Sequence, residues 1–134
     1  MGENVPLKIL IVDDNEGSAK TLGWMMELLE HEVKLAHDGK SCLEAAASFR
    51  PDVVLLDIGL PGMSGYEVCS AMRDDSAYKD TVFIAQTGWG QSEHQQRSKE
   101  AGFHYHLVKP IKMDELQNLI TSLEAVPAAN RAAL

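Results

Sequence analysis

Cysteine is nearly absent from this 134-residue chain: Cys42 and Cys69 are its only two. They have no metal-ligand spacing and are too few for a disulfide scaffold, so two buried free thiols in a reducing compartment are expected. No apolar run approaches ~20 residues, which excludes a membrane-spanning helix. The opening Met1-Gly2-Glu3-Asn4-Val5-Pro6 lacks the basic start and long apolar core of a secretory signal, so the expected location is cytoplasmic. Basic residues are scarce. Twelve Lys and Arg against 20 Asp and Glu leave a net charge of -8, which argues against general nucleic-acid binding though not against a small basic patch. What is present suffices for one soluble domain with one core: 45% hydrophobic residues and 24% charged.

Along the chain, short apolar runs alternate with stretches of helical period. Residues 7–12 read as a strand. Asn15 then caps a helix in which Ala19, Leu22, Met25, Met26 and Leu29 recur at helical spacing up to His31. A short strand follows at 32–37, with Val33 and Leu35 on one face, then the Asp38-Gly39 turn and a helix at 41–49 that stops before Pro51. The run 53–56 is apolar on both faces, the mark of a central strand. Further helices are predicted at 66–73, 92–101 and 114–123, and further strands at 80–86 and 103–108. Gly88-Trp89-Gly90 is a tight connection and Gly102 a helix stop. Residues 1–6 are read as an extension, 7–125 as the domain, and 126–134 as a frayed tail. This is βα repeated five times, which predicts a flavodoxin-like doubly wound α/β sandwich with a parallel sheet of order 2-1-3-4-5.

In such a sheet the carboxyl ends of the strands share one edge. Ile9-Leu10-Ile11-Val12 runs into Asp13-Asp14, Val53-Val54-Leu55-Leu56 into Asp57, the run ending at Gln86 into Thr87, and His106-Leu107-Val108 into Lys109-Pro110. The topological switch between strands 1 and 3 therefore coincides with the acidic cluster. Three carboxylates at ~4 Å repel by up to ~4 kcal/mol per pair at an effective dielectric near 20. A divalent cation removes that cost, and Mg²⁺ prefers oxygen ligands and keeps several waters. Capping of a helix N-terminus explains Asp14 alone but not the pair beside Asp57.

Four pieces in order, ILIVDDN at 9–15, VVLLDIGLPGMSGYE at 53–67, QTGWG at 86–90 and HLVKP at 106–110, resemble the receiver domain of two-component response regulators. They are most similar to receivers in, or beside, hybrid sensor histidine kinases. The resemblance spans about residues 7–123. It implies a phosphoacceptor of a phosphorelay rather than a classical enzyme, with transfer and later hydrolysis of the phosphoryl group both autocatalysed. Asp57 is then the phosphoryl acceptor. Mg²⁺ (or Mn²⁺) is held by Asp14, Asp57 and the Gly59 carbonyl, with Asp13 acting mainly through water. Lys109 supplies a cation and Thr87 a hydroxyl to the phosphoryl oxygens, and the Lys109–Pro110 peptide is cis. The implied partners are a histidine kinase or a histidine phosphotransfer domain. A downstream protein would meet the face of the fourth helix, fifth strand and fifth helix. The expected state is a monomer or weak dimer.

Two positions are less typical. His106 stands where the better-known members carry tyrosine or phenylalanine, a rotamer switch coupled to the threonine. Alternation places Tyr105 and His106 on opposite sides of the strand, so Tyr105 cannot substitute. His106 is equally readable as a switch, whose pKa phosphorylation would raise, and as a surface residue. Gly59 and Trp89 flank Asp57 and Thr87 at positions that tune water access, and Trp89 reads equally well as a partner-surface residue. His31, His37, His94 and His104 are read as surface residues, and Met25, Met26, Met63 and Met72 as core packing.

Three alternatives carry different signals. A Mg²⁺-dependent phosphatase with an aspartyl nucleophile usually has an acid where Gly59 stands. A flavin carrier needs a Ser/Thr/Gly-rich phosphate loop where Asp13-Asp14-Asn15-Glu16 would repel the phosphate. A non-phosphorylated interaction domain would not need so complete a set. The chain leaves no room for a DNA-binding output domain, so it is expected either to act alone or to be part of a larger hybrid kinase.

Overall fold

Five parallel strands pair in the order β2-β1-β3-β4-β5, the order expected from the sequence. The computed structural model describes residues 6–88 and 92–132. In chain order the elements are β1 (Lys8–Val12), α1 (Glu16–Leu28), β2 (Glu32–Ala36), α2 (Gly39–Phe49), β3 (Val53–Asp57), α3 (Gly65–Arg73), a 3-10 turn (Ser76–Tyr78), β4 (Val82–Gly88), α4 (Ser92–Ala101), β5 (Tyr105–Lys109), α5 (Met113–Glu124) and α6 (Ala128–Arg131).

Strand alternation divides the core in two. Leu10 and Val12 of β1, Val54 and Leu56 of β3, and Phe83 and Ala85 of β4 face one side. There they meet Cys42 and Ala46 of α2 and Val68, Cys69 and Met72 of α3. The intervening Ile9, Ile11, Val53, Leu55, Val82 and Ile84 face the other side, against Ala19, Leu22 and Met26 of α1 and Leu116, Ile120 and Leu123 of α5. Every residue of β3 is buried, as a strand covered on both faces requires. The register Val12↔Leu56 and Asp57↔Gln86 brings the ends of the three inner strands level.

Local chemistry fixes the helix starts. The Asn15 side chain accepts from Ser18 N–H at α1, and reciprocal capping boxes of Asp38 with Ser41 and Ser64 with Glu67 open α2 and α3. Gly102 takes the left-handed conformation after α4 (φ 103°), the stop expected there. Both cysteines are buried free thiols, and burial pushes each up to about 12. Met26 and Met72 are fully buried, while Met25 and Met63 pack at the edges of the two cores.

Four expectations need correction. The segment after Glu124 is not frayed across the described residues. Residues 128–131 form α6, and the buried Arg131 donates from Nε to the Leu123 carbonyl at 2.9 Å, with Nη1 3.8 Å from Asp52 Oδ1. The last carbonyls of a helix lack intrahelical partners, and that of Leu123 in α5 is met twice, by the Val126 N–H at 3.1 Å and by Arg131. His31 and His104 are not surface residues. His31 Nδ1 accepts the Leu7 N–H at 2.9 Å and its Nε2 lies 2.8 Å from Glu124 Oε1. His104 Nδ1 accepts the Phe83 N–H at 3.0 Å, and its ring stacks on that of Phe83. Each closes a backbone donor at a strand start that would otherwise be buried without a partner. His37 is half-buried as well, with Nδ1 3.0 Å from the Asp13 carbonyl oxygen. The side chain of His94 lies outside the described residues.

Candidate functional site

The strand ends build the site. Asp13 follows β1, and its N–H donates to the Ala36 carbonyl. Its Oδ1 accepts the Asn15 N–H at 2.9 Å. Asp57 closes β3, and its Oδ1 accepts the Gly59 N–H at 2.8 Å. The Lys109 ammonium, at the end of β5, reaches back to Asp57 Oδ2 at 2.7 Å and lies 3.5 Å from Asp13 Oδ2. The Lys109–Pro110 peptide is cis, as the resemblance implied. Asp13 and Asp57 are buried and Asp14 is exposed. One carboxylate oxygen of each lies within 4.8 Å of the others.

Electrostatics follow from this packing. Burial pushes the Asp13 carboxyl above its ordinary range. The Asn15 N–H and the Lys109 charge pull it back in part, and Asp57 adds to the rise. Burial also disfavours the Lys109 ammonium, but the hydrogen bond and charge of Asp57, with those of Asp13, outweigh it and raise its pKa. Asp13 Oδ2 is buried yet accepts no hydrogen bond among the described residues. A buried carboxylate oxygen that has a long 3.5 Å ion pair with Lys109 and faces two more carboxylates fits a hard cation with oxygen ligands. Asp13, Asp14 and Asp57 are therefore the residues that could hold one. Gly59 is exposed beside Asp57, and an added Cβ there would sit 3.5 Å from Asp57 Oδ1.

Thr87 lies in β4, one residue beyond the Asp57↔Gln86 pair, and is buried. Its Oγ1 is 2.6 Å from His106 Nε2. His106 therefore faces the site side of the sheet, while Tyr105 packs into the opposite core beside α5, as the alternation predicted. The surface reading of His106 is not what the structure has: its ring is half-buried and in contact with Thr87. Trp89 lies outside the described residues.

The sequence did not single out three neighbours. His37 meets the Asp13 carbonyl because Val12 pairs with Ala36, and its position one residue past a strand end was the available signal. Ser98, buried on α4, has Oγ 3.4 Å from His106 Nδ1. Tyr66, in the first turn of α3, has its ring under the Arg97 guanidinium at 4.2 Å. Neither Ser98 nor Tyr66 carried a signal in a helix read as merely polar or merely periodic.

A parallel sandwich with two acids after its first strand, an aspartate after its third and a lysine after its fifth defines a class. Residues 9–121 match the family model of the response regulator receiver domain, and the chain belongs to that family. It is 30% identical over 118 residues to the polar-differentiation response regulator DivK of Brucella anthropi, covering 88% of this chain and 96% of that protein. It is 33% identical over 112 residues to the response regulator MprA of Mycolicibacterium vanbaalenii, where the match takes in 48% of that protein. It is 29% identical over 114 residues to the signal transduction histidine-protein kinase BarA of Shigella flexneri, of which it covers only 12%. Among solved structures, the chemotaxis response regulator CheY4 of Vibrio cholerae superposes with a TM-score of 0.83 at 30% identity, covering 88% of this chain and 98% of that one. The protein is thus a receiver domain of two-component signalling. No helix among the described residues is long and apolar enough to cross a membrane.

Proposed function

We propose that this receiver accepts a phosphoryl group on Asp57 from the phosphohistidine of a histidine kinase or histidine phosphotransfer domain, with Mg²⁺ bound by the acidic cluster. The observation that carries the reading is the Asp57 carboxylate itself. It ends a fully buried strand, with a cation 2.7 Å from one oxygen and two more carboxylates alongside. Attack of a carboxylate oxygen on phosphorus gives an aspartyl-phosphate, and the transition state is stabilised chiefly by positive charge around the equatorial oxygens. Lys109 supplies one such charge. The bound metal would supply another, held by Asp13, Asp14, Asp57 and the Gly59 carbonyl. Thr87 supplies a hydroxyl donor. Hydrolysis of the acyl phosphate resets the site.

Phosphorylation then biases a two-state equilibrium that reshapes the α4–β5–α5 face toward a downstream protein. A cytoplasmic monomer or weak dimer is the form in which this module works. The test is intact-mass analysis after treatment with acetyl phosphate and Mg²⁺. One phosphoryl group is expected on the wild type and none on Asp57→Asn; equal labelling of both would overturn the assignment.

A further inference from the structure

Between Thr87 and α3 runs a line of groups that each carry one movable proton. Thr87 Oγ1 is 2.6 Å from His106 Nε2, and His106 Nδ1 is 3.4 Å from Ser98 Oγ. The Tyr66 hydroxyl lies within hydrogen-bonding reach of Ser98. Thr87 and Ser98 are buried, at 0% and 2% exposure, so their hydroxyls are shielded from bulk water. The line crosses four elements: β4, β5, α4 and α3.

We propose that Thr87, His106, Ser98 and Tyr66 form a hydrogen-bond chain whose direction is set by the phosphoryl group on Asp57, so that Ser98 and Tyr66 carry the state of the site to α4 and α3. The proposal rests on the phosphoacceptor reading above and goes beyond it. Threonine, serine and tyrosine each have one O–H, and neutral imidazole has one N–H. A phosphoryl oxygen is an acceptor only, so Thr87 must spend its single proton on it. Thr87 Oγ1 can then only accept, and Nε2 must carry the imidazole proton. The bare Nδ1 accepts from Ser98, and Ser98 accepts from Tyr66. Every bond points toward the phosphoryl group, and such aligned chains strengthen one another.

Without the phosphoryl group the opposite sense is available. Thr87 donates to Nε2, Nδ1–H donates to Ser98, and Ser98 donates to Tyr66. The change gains and loses no proton. The imidazole N–H passes from Nδ1 to Nε2, and the three hydroxyl protons turn about their own oxygens. Tyrosine or phenylalanine in place of His106 has no ring nitrogens and could not transmit this reversal.

The test is ¹⁵N NMR of the His106 ring in the whole chain at pH ~8, above the ordinary imidazole pKa of ~6.5. Spectra are recorded with and without Mg²⁺ and beryllofluoride as the phosphoryl mimic. The Nδ1–H tautomer is expected without the mimic and Nε2–H with it. The same tautomer in both states would overturn the chain. Ser98→Ala should accept phosphoryl from acetyl phosphate as fast as wild type, while mimic-induced shift changes in Tyr66 and in the backbone amides of α4 fall below half. Full transmission in Ser98→Ala would also overturn it. If neither acetyl phosphate nor beryllofluoride engages Asp57, the phosphoacceptor reading fails and takes the chain with it. If Asp57 is labelled and the tautomer does not move, only the chain fails.

Discussion

A methyl group added at Gly65 tests how the acceptor is held. An ideal Cβ there would lie 2.5 Å from the Asp57 carbonyl oxygen and 2.6 Å from Ile58 Cα, both backbone atoms that cannot rotate away. The two segments are also tied, since Gly65 N–H donates to the Ile58 carbonyl at 3.1 Å and Ile58 N–H to the Gln86 carbonyl. Relief requires either the start of α3 or the end of β3 to move. Overpacking of this kind costs about 1–3 kcal/mol. At about 2.1 cal/mol/K of unfolding entropy per residue, 1 kcal/mol is worth about 4 °C in a chain of this length. Gly65→Ala should therefore melt about 4–12 °C below wild type and, because the strained atom is Asp57's own carbonyl, accept phosphoryl more slowly. Two control glycines border the same site. At Gly59 the nearest atom to an added Cβ is at 3.5 Å, and at Gly88 nothing lies within 4 Å. Their alanine variants should stay within about 0.5 kcal/mol of wild type. Calorimetry on the three variants decides. A Gly65→Ala melting with wild type, or below it by no more than Gly59→Ala, would refute the close approach.

Lys109→Ala removes the ammonium 2.7 Å from Asp57 and should slow labelling by acetyl phosphate about 10²-fold or more, with Thr87→Ala slowed less. The reverse ranking under matched conditions would contradict the charge argument. Asp14→Ala should lose Mg²⁺ affinity and labelling together, and calorimetry showing unchanged affinity would exclude it as a ligand. Burial, aided by the Arg73 charge and opposed by the Ala132 backbone, lowers the His104 pKa below its ordinary 6.5. The neutral ring's contribution to stability is thus full above pH 6.5 and lost as pH falls through the lowered value. Between pH ~7 and ~5 wild type should lose more melting temperature than His104→Asn, whose amide oxygen replaces the Nδ1 acceptor; parallel losses would remove His104 from the account. Arg131→Ala removes the charged donor to the Leu123 carbonyl, which keeps the Val126 N–H at 3.1 Å, and should cost about 1.5–3 kcal/mol in urea unfolding, whereas a tail that did not dock would show no change.

The legibility of this chain follows physical range. Strand ends were readable because a run such as 53–56 is apolar on both faces and then stops at a carboxylate. Tyr105 and His106 were readable as opposed because a strand has period two. What was hidden depends on contacts between residues far apart in sequence. Nothing local says that His31 will close the Leu7 N–H, His104 the Phe83 N–H, or Arg131 the Leu123 carbonyl. Ser98 sits in a helix so polar that a buried hydroxyl has no contrast against its neighbours. Gly65 looked like any loop glycine until the carbonyl of Asp57 was found behind it.

Reductive trapping tests the central claim most directly. An aspartyl-phosphate is an acyl phosphate, and borohydride reduces it to homoserine at the position that carried the phosphoryl group. Peptide mass mapping after acetyl phosphate, Mg²⁺ and borohydride should find homoserine at position 57 and nowhere else, and none when the metal is chelated first. Homoserine at position 13 or 14, or a phosphoryl group found on a hydroxyl with position 57 still aspartate, would contradict the account.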